Sequence, residues 1–315
     1  MTHMGLEAVV LFFVLSGFLV GGKVLERTVN NSFDLKAYTL DRVSRIYIPL
    51  IPALIFTAVV NCLICGRPFS VLSLLGNLFG LQGIWSQIPA FAGNDPLWTL
   101  AYECWFYVLG GLVAIICAGG TRAKPMALFG IMMVFAIFTR LHASLLFCWC
   151  LGAFGYRLIA AKPLAAWWFS AGSLLVVLGA CFSQYISAHR SSFGPFFSSG
   201  HVALLILSFG LAAVLPYLAK RKPASSRAIF LEKTGSRLAA FSYTLYLTHH
   251  PLLTLWEKYR PVKYTTLEAH TFPWFLAECA SCLLVAWLIY LPFEAQTQRV
   301  RDWMRRYVPF PNFRD

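Results

Sequence analysis

Residues 5–22 read GLEAVVLFFVLSGFLVGG. After Glu7 the stretch carries no charge, and it approaches the roughly 20 apolar residues that a helix needs to cross a bilayer. Its one interruption, Ser16–Gly17, is small and falls near the middle, where it permits close helix approach. Working outward, eight more runs share this character: 47–65, 97–118, 126–139, 143–159, 164–186, 199–219, 239–256 and 273–292. The run at 126–139 is the shortest. A further stretch, Val71 to Trp85, is broken by Gly76, Asn77, Gly80 and Gly83. It reads as an interfacial or re-entrant segment rather than a span.

Composition agrees. Of 315 residues, 58% are hydrophobic and 12% charged, and mean hydropathy is +0.66. An ordinary soluble domain is about one quarter charged. A soluble enzyme, a disordered chain and a nucleic-acid-binding domain are thereby excluded. The expected fold class is all-α, a polytopic bundle of about nine transmembrane helices. Residues 1–315 read as a single membrane domain, with a basic cytoplasmic loop at 220–238 and a cytoplasmic tail at 293–315.

The net charge of +13 has a topological meaning. Twenty of the 26 Lys and Arg fall in 23–46, 119–125, 157–163, 220–238 and the tail from 293. The alternate loops hold only Arg67, Arg140, Arg190, Lys258, Arg260 and Lys263. Positive loops face the cytoplasm, where the leaflet is anionic. The partner of these charges is therefore the lipid bilayer and not nucleic acid. Trp85, Trp98, Trp256 and Trp274 then lie near the outer interface, and Tyr47, Trp167 and Trp168 near the inner one. The chain begins outside with its first crossing directed inward. No small-residue cleavage site marks the first run as a signal peptide. Nine cysteines sit mostly within apolar runs and form no metal-type framework, and the Cys62–Cys65 pair reads as packing.

Ionisable groups at membrane depth cost about 3 kcal/mol on insertion scales and mark function by default. Glu103, His249, His250 and Glu278 qualify. Counted from the outer ends of their runs at 1.5 Å per residue, Glu103, His249 and Glu278 share one level, roughly 8–10 Å deep. Thr99 and Glu103 lie on one helix face, and Ser242, Tyr246 and His249 form a polar stripe. His249 could take a proton from a hydroxyl, with Glu103 orienting it and Tyr246 donating to a developing oxyanion. A hydrogen-bonded pair that only joins helices is the competing reading. His250 points about 100° away from His249 around a helix of 3.6 residues per turn. Glu278 has only Ser281 as a polar neighbour and reads as structural. Ser16 suits packing or pocket lining, since no adjacent base or strained turn makes it a nucleophile. Arg42 and Arg45 are three apart, which suits a phosphorylated ligand at the inner face. Ordinary positive-inside anchoring accounts for them equally.

Four segments now line up: V-x-x-FFVLSGFL (Val9 to Leu19), DRVSRIYIP (Asp41 to Pro49), PLWTLAYECWFY (Pro96 to Tyr107) and FSYTLYLTHHPLL (Phe241 to Leu253). In these the chain resembles the acyltransferase 3 family of bacterial inner-membrane proteins, from residue 5 to near residue 300. The resemblance implies about ten transmembrane helices, each of about 20 residues. It also implies transfer of an acyl group, usually acetyl, from cytoplasmic acyl-coenzyme A to a hydroxyl of a sugar, surface polysaccharide or other glycan. No bound cofactor or metal is implied; acyl-coenzyme A is a co-substrate. The family's motifs fall on Trp98, Thr99, Leu100 and Glu103; on Ser242, Tyr243, Leu245, Tyr246, Leu247, His249 and Pro251; and on Arg42, Arg45, Ile46 and Pro49. The implied catalytic residues are His249 and Glu103. The implied substrate-binding residues are Arg42, Arg45, Ser16, Trp98, Tyr246 and Ser242. The implied location is the bacterial inner membrane, with the C-terminus cytoplasmic.

Two departures stand out. Cys104 occupies the place of a second acid that the family usually shows. The family's first span, with an Arg and then a key His, has no counterpart, and His3 lies too close to the FFVLSGFL run to be that His. Together with a chain that starts outside, this creates the expectation that the sequence begins one span late or that a span has been lost. Alternatives are a transporter or flippase for a glycan or small polar solute, although no repeat relates the two halves, and a non-catalytic glycan-binding relative.

Overall fold

The structure is a computed structural model and describes residues 4–118, 120–121, 123–160, 166–189, 200–221, 225–260 and 271–308. His3 and the loop charges Arg122, Lys162, Arg190, Lys222, Lys263 and Arg314 lie outside the described residues. The chain is an all-α polytopic bundle. In order its helices are α1 (Gly5–Val29), α2 (Leu35–Ile64), α3 (Val71–Leu78), α4 (Trp98–Ala118), α5 (Ala123–Phe138) and α6 (Ala143–Ala160). There follow α7 (Ala166–Ala188), α8 (His201–Lys220), α9 (Ser226–Ala240), α10 (Ser242–Tyr259), α11 (Phe272–Tyr290) and α12 (Thr297–Tyr307). Among the described residues no strand forms, and one isolated bridge pairs Gln82 with Trp85.

Among the described residues, each of the nine apolar runs is helical over nearly its whole length. Gly5–Val29, Leu35–Ile64, Asp95–Ala118, Trp167–Ala188, His201–Lys220 and Phe272–Tyr307 are long and apolar enough to cross a membrane. α5 and α6 are apolar but shorter. α10 falls outside this set because threonines, two histidines, Glu257 and Lys258 dilute its leucines. The 220–238 connector is helical from Ser226. Side-chain placement is inverted relative to a soluble protein. Leu19, Ile55, Leu63, Met126, Phe129, Phe154 and Leu284 face outward, while Thr57, Asn61, Asn77, Gln82, Asn94 and Glu103 are buried. Such a surface is stable only against hydrocarbon, which accepts exposed apolar groups and forces polar ones inward.

The described residues of 34–104 and 223–311 form one compact unit. Asp34 caps α2 by accepting the Ala37 N–H at 3.0 Å. α2 and α10 run the same way. Arg45 lies over the Tyr243 ring at the start of α10, and Lys258 near its end donates to the Ile64 carbonyl. α4 runs opposite to α2, because Asn94 ahead of it bonds Thr57 while Cys104 packs against Gly80, two residues past the Tyr47 contact at Leu78. α3 and residues 79–97 therefore enter beside α2 and return, as a re-entrant element. Such backbone needs internal partners. The Asn77 amide donates to the carbonyls of Ser73 and Pro89 and accepts from Phe91 N–H. Asn61 donates to the Ala92 carbonyl, and Gln82 to that of Leu97. Ala92 sits at φ 49°, a left-handed conformation that the Asn61 bond helps to hold.

The described residues of 2–33 and 105–222 form the other unit. α1 and α6 are parallel and nearly touch through glycine. A Cβ on Gly17 would run into the Trp149 carbonyl, one on Gly22 into the Tyr156 ring, and one on Gly152 into the Val14 carbonyl. This is the close approach expected from the Ser16–Gly17 step. Gly17–Gly21 widens into a π-helical turn at the contact. Phe106 sits at the centre of the unit, edge-on to Phe13 at 5.1 Å and stacked on Phe138 and Trp149 at 5.7 and 5.4 Å.

Candidate active site

Most residues singled out from the sequence lie in the first unit. Tyr246, on α10, donates its hydroxyl to the Pro96 carbonyl at 2.7 Å. Thr99, in the first turn of α4, stands 2.7 Å from the same hydroxyl oxygen. A phenol has one proton. With that proton on the Pro96 carbonyl, Thr99 is the donor to Tyr246. Tyr246 thus fixes the start of α4 to α10 and has no second proton for an oxyanion. Trp98 is half-buried and packs edge-on to Tyr102 at 5.5 Å.

His249 lies one turn further along α10. Its Nδ1 is 2.8 Å from the Tyr246 carbonyl and 3.2 Å from that of Leu245. Both partners are acceptors, so Nδ1 carries the proton and Nε2 presents a lone pair. The ring is half-buried, 5.8 Å from Tyr246 and 6.5 Å from His250. His250 points elsewhere, with Nε2 4.0 Å from Asp95. Ser242 is exposed at the start of α10 and returns its hydroxyl to the Ala239 carbonyl at 2.9 Å.

Glu103 is buried on α4, but the common level expected for it and His249 does not hold. α4 and α10 are antiparallel and meet at Thr99–Tyr246. Four residues from Thr99 to Glu103 go one way, and three from Tyr246 to His249 go the other. At 1.5 Å per residue the two groups are separated by about 10 Å along the helices. The Nδ1 of His249 faces the Tyr246 and Leu245 carbonyls of its own helix. The reason for the separation is the re-entrant loop. Asn94, fully buried, donates to Thr57 and to the Leu247 carbonyl, so α4 begins well inside the protein and not at an interface. Counting depth from the end of an apolar run placed Glu103 too shallow. Glu278 is half-buried on α11, one turn from Cys282, whose thiol is 4.0 Å from the His249 carbonyl.

At the other end of this unit the basic pair divides. Arg45 is bound 3.0 Å from Glu294, a buried carboxylate that also accepts the Thr244 hydroxyl at 2.6 Å and its N–H at 3.2 Å. Arg42 lies over the Tyr38 ring at 5.9 Å. Asp41 holds Arg301 and Arg305 of α12 at 3.1 and 3.2 Å. Glu294 and Asn94 are parts of this site that motif reading passed over, and Asp41 stood in a quoted segment without a role. An acid directly after the run ending at 292 was a usable signal for Glu294.

Ser16 belongs to the second unit. It is buried on α1, and among the described residues its hydroxyl has no hydrogen-bond partner. Among the described residues no group of three His, Cys, Asp or Glu is arranged to hold a metal ion.

Comparison with known proteins gives one family. The profile of the acyltransferase domain of the acyltransferase 3 family matches residues 4–291. No curated protein and no solved structure matches the chain.

Proposed function

The chain belongs to the acyltransferase 3 family, and on that premise we propose that it moves an acyl group, acetyl foremost, from acyl-coenzyme A to a hydroxyl of a sugar or surface polysaccharide. The observation that carries this reading is the pair of backbone carbonyls, of Tyr246 and Leu245, at 2.8 and 3.2 Å from Nδ1 of His249. Its Nδ1–H is spent on two backbone carbonyls, leaving Nε2 as a base on a half-buried helix face. Nε2 takes the proton of the acceptor hydroxyl as that oxygen attacks the thioester carbonyl. A C–O bond forms, the C–S bond breaks, and the imidazolium returns the proton to the departing coenzyme A thiolate.

The two ends of the first unit suit the two substrates. Arg42, with Arg45 anchored beside it by Glu294, faces the coenzyme A phosphates at the end read as cytoplasmic. Glu103 is nearer that end than His249, since its neighbour Cys104 packs at the level of Tyr47. It is assigned to the donor half of the reaction and not to orientation of the histidine. Thr99 and Tyr246 position the helices between the two.

Membranes carrying the chain, supplied with acetyl-labelled acetyl-coenzyme A, should place label in a glycan fraction. His249→Gln should lower the rate by about 100-fold. Solute transport that needs no acyl-coenzyme A, with no label transferred, would replace this reading by the transporter one.

A further inference from the structure

The second unit gathers a separate set of polar side chains that this reaction does not use. Glu7, near the start of α1, is 6% exposed. Gln184, in the last turns of α7, donates to its Oε1 at 2.8 Å. Among the described residues its Oε2 has no hydrogen-bond partner and no cation pairs with it. In the same unit Ser144, at the start of α6, stands 3.0 Å from Nδ1 of His201, the first residue of α8. The rings of His142 and His201 are 5.4 Å apart.

Helix directions bring these groups to one level. α1 and α6 are parallel, with Gly17 against Trp149 and Ala153 and Gly22 against Tyr156. The same offset sets Glu7 beside His142 and Ser144. α7 and α8 are antiparallel, with Gly172 against Ala213 and Gly179 against Leu207. That register sets Gln184 opposite the first turn of α8. Exposure is graded across the set: His142 is exposed, Ser144 and His201 are half-buried and Glu7 is buried. The set thus runs from the surface at His142 inward to a buried carboxylate.

A bond between α1 and α7 needs one oxygen, which an amide supplies as well as a carboxylate. The second oxygen of Glu7 is buried without a donor, an arrangement that costs more than a satisfied group and invites one from outside. These neighbours, two imidazoles, a hydroxyl and an amide, bring no second carboxylate for a cation, and no group of three His, Cys, Asp or Glu among the described residues could hold a metal ion. Uncharged hydroxyls fit. They donate to the carboxylate and exchange hydrogen bonds with imidazole, hydroxyl and amide groups. We propose that this end of the second unit is a binding site for a hydroxyl-rich, uncharged ligand, a sugar ring, whose hydroxyl donates to Glu7 Oε2 with His201, Ser144 and Gln184 around it. The choice of a sugar over another polyol rests on the reading of the chain as an O-acyltransferase; the polarity of the site does not.

The test is hydrogen–deuterium exchange on the full chain in nanodiscs, without acyl-coenzyme A. Glucose, galactose and N-acetylglucosamine are titrated separately, with tetramethylammonium as the cationic alternative. At least one sugar should slow exchange in residues 5–10 and 201–206 at millimolar concentration. Glu7→Gln should weaken its apparent Kd about tenfold, the loss of one charge-assisted bond. His142→Ala, at the exposed end of the set, keeps the test open if Glu7→Gln does not fold, and should weaken binding measurably. Protection by none of the sugars, protection by the cation instead, or unchanged affinity in both variants overturns the proposal. Since no acyl donor is present, that failure leaves acyl transfer standing, and absence of transfer with sugar binding intact would count against the proposed function alone.

Discussion

The guanidinium of Arg45 lies 3.0 Å from a Glu294 carboxylate that also takes two bonds from Thr244. Three elements distant in sequence, α2, α10 and the turn before α12, meet at that one buried acid. The two partners should differ in what their loss does. Arg45 is 44% exposed, and Glu294 keeps both Thr244 bonds without it, so Arg45→Ala should cost about 1 kcal/mol. Glu294→Ala strips partners from three groups at once and should cost about 3 kcal/mol. Thermal unfolding of the detergent-solubilised chain checks the order, and equal shifts would show that the carboxylate is not the centre of the contact.

Arg42 separates anchoring from ligand binding. It shares a helix face with Arg45 and lies over the Tyr38 ring, whereas Arg45 is held by Glu294. Arg42→Ala should lower acetyl-coenzyme A affinity about tenfold, the loss of one charge-assisted phosphate contact, and should lower the unfolding temperature less than Glu294→Ala does. Titration of the purified chain with acetyl-coenzyme A reads the effect. Unchanged affinity would return Arg42 to ordinary anchoring at the membrane interface.

What the sequence made legible follows from which forces are local. Helix positions came from apolar runs, and a close helix approach from Ser16–Gly17, because both depend on residues adjacent in the chain; that α6 is the partner came only from the fold. Depth was not legible. Glu103 and His249 were placed at one level by counting from run ends, yet the start of α4 is set by Asn94, Gln82 and Asn77 holding a loop inside the protein. Partner choice was hidden for the same reason. Arg42 and Arg45 look equivalent three residues apart, and only the fold brings Glu294 to one of them.

Tyr246 is a hinge between two helices, and its variants should show it. Tyr246→Phe removes the bond to the Pro96 carbonyl and leaves Thr99 free to bond that carbonyl itself, at the 3.1 Å now observed. The stability loss should be about 1 kcal/mol, one buried hydrogen bond. Because the His249 ring hangs on the Tyr246 carbonyl, its position should loosen as well, so kcat should fall while the KM for acetyl-coenzyme A stays near the parent value. A KM change without a kcat change would place Tyr246 against the donor instead.

Two glycines give opposite expectations from the same kind of substitution. Gly17 faces the Trp149 carbonyl so closely that any Cβ must push α1 away from α6. A backbone carbonyl cannot rotate aside as a flexible side chain can, so Gly17→Ala should cost about 1–3 kcal/mol, the range for overpacking, and Gly17→Val more. Gly235 lies in the exposed helix α9 with open space around it. There Gly235→Ala restricts the unfolded chain without a clash and should raise stability by about 0.5–1 kcal/mol. Unfolding measured on both variants in one detergent cancels the effect of the medium. A Gly17→Ala protein as stable as the parent would mean that α1 and α6 do not approach this closely.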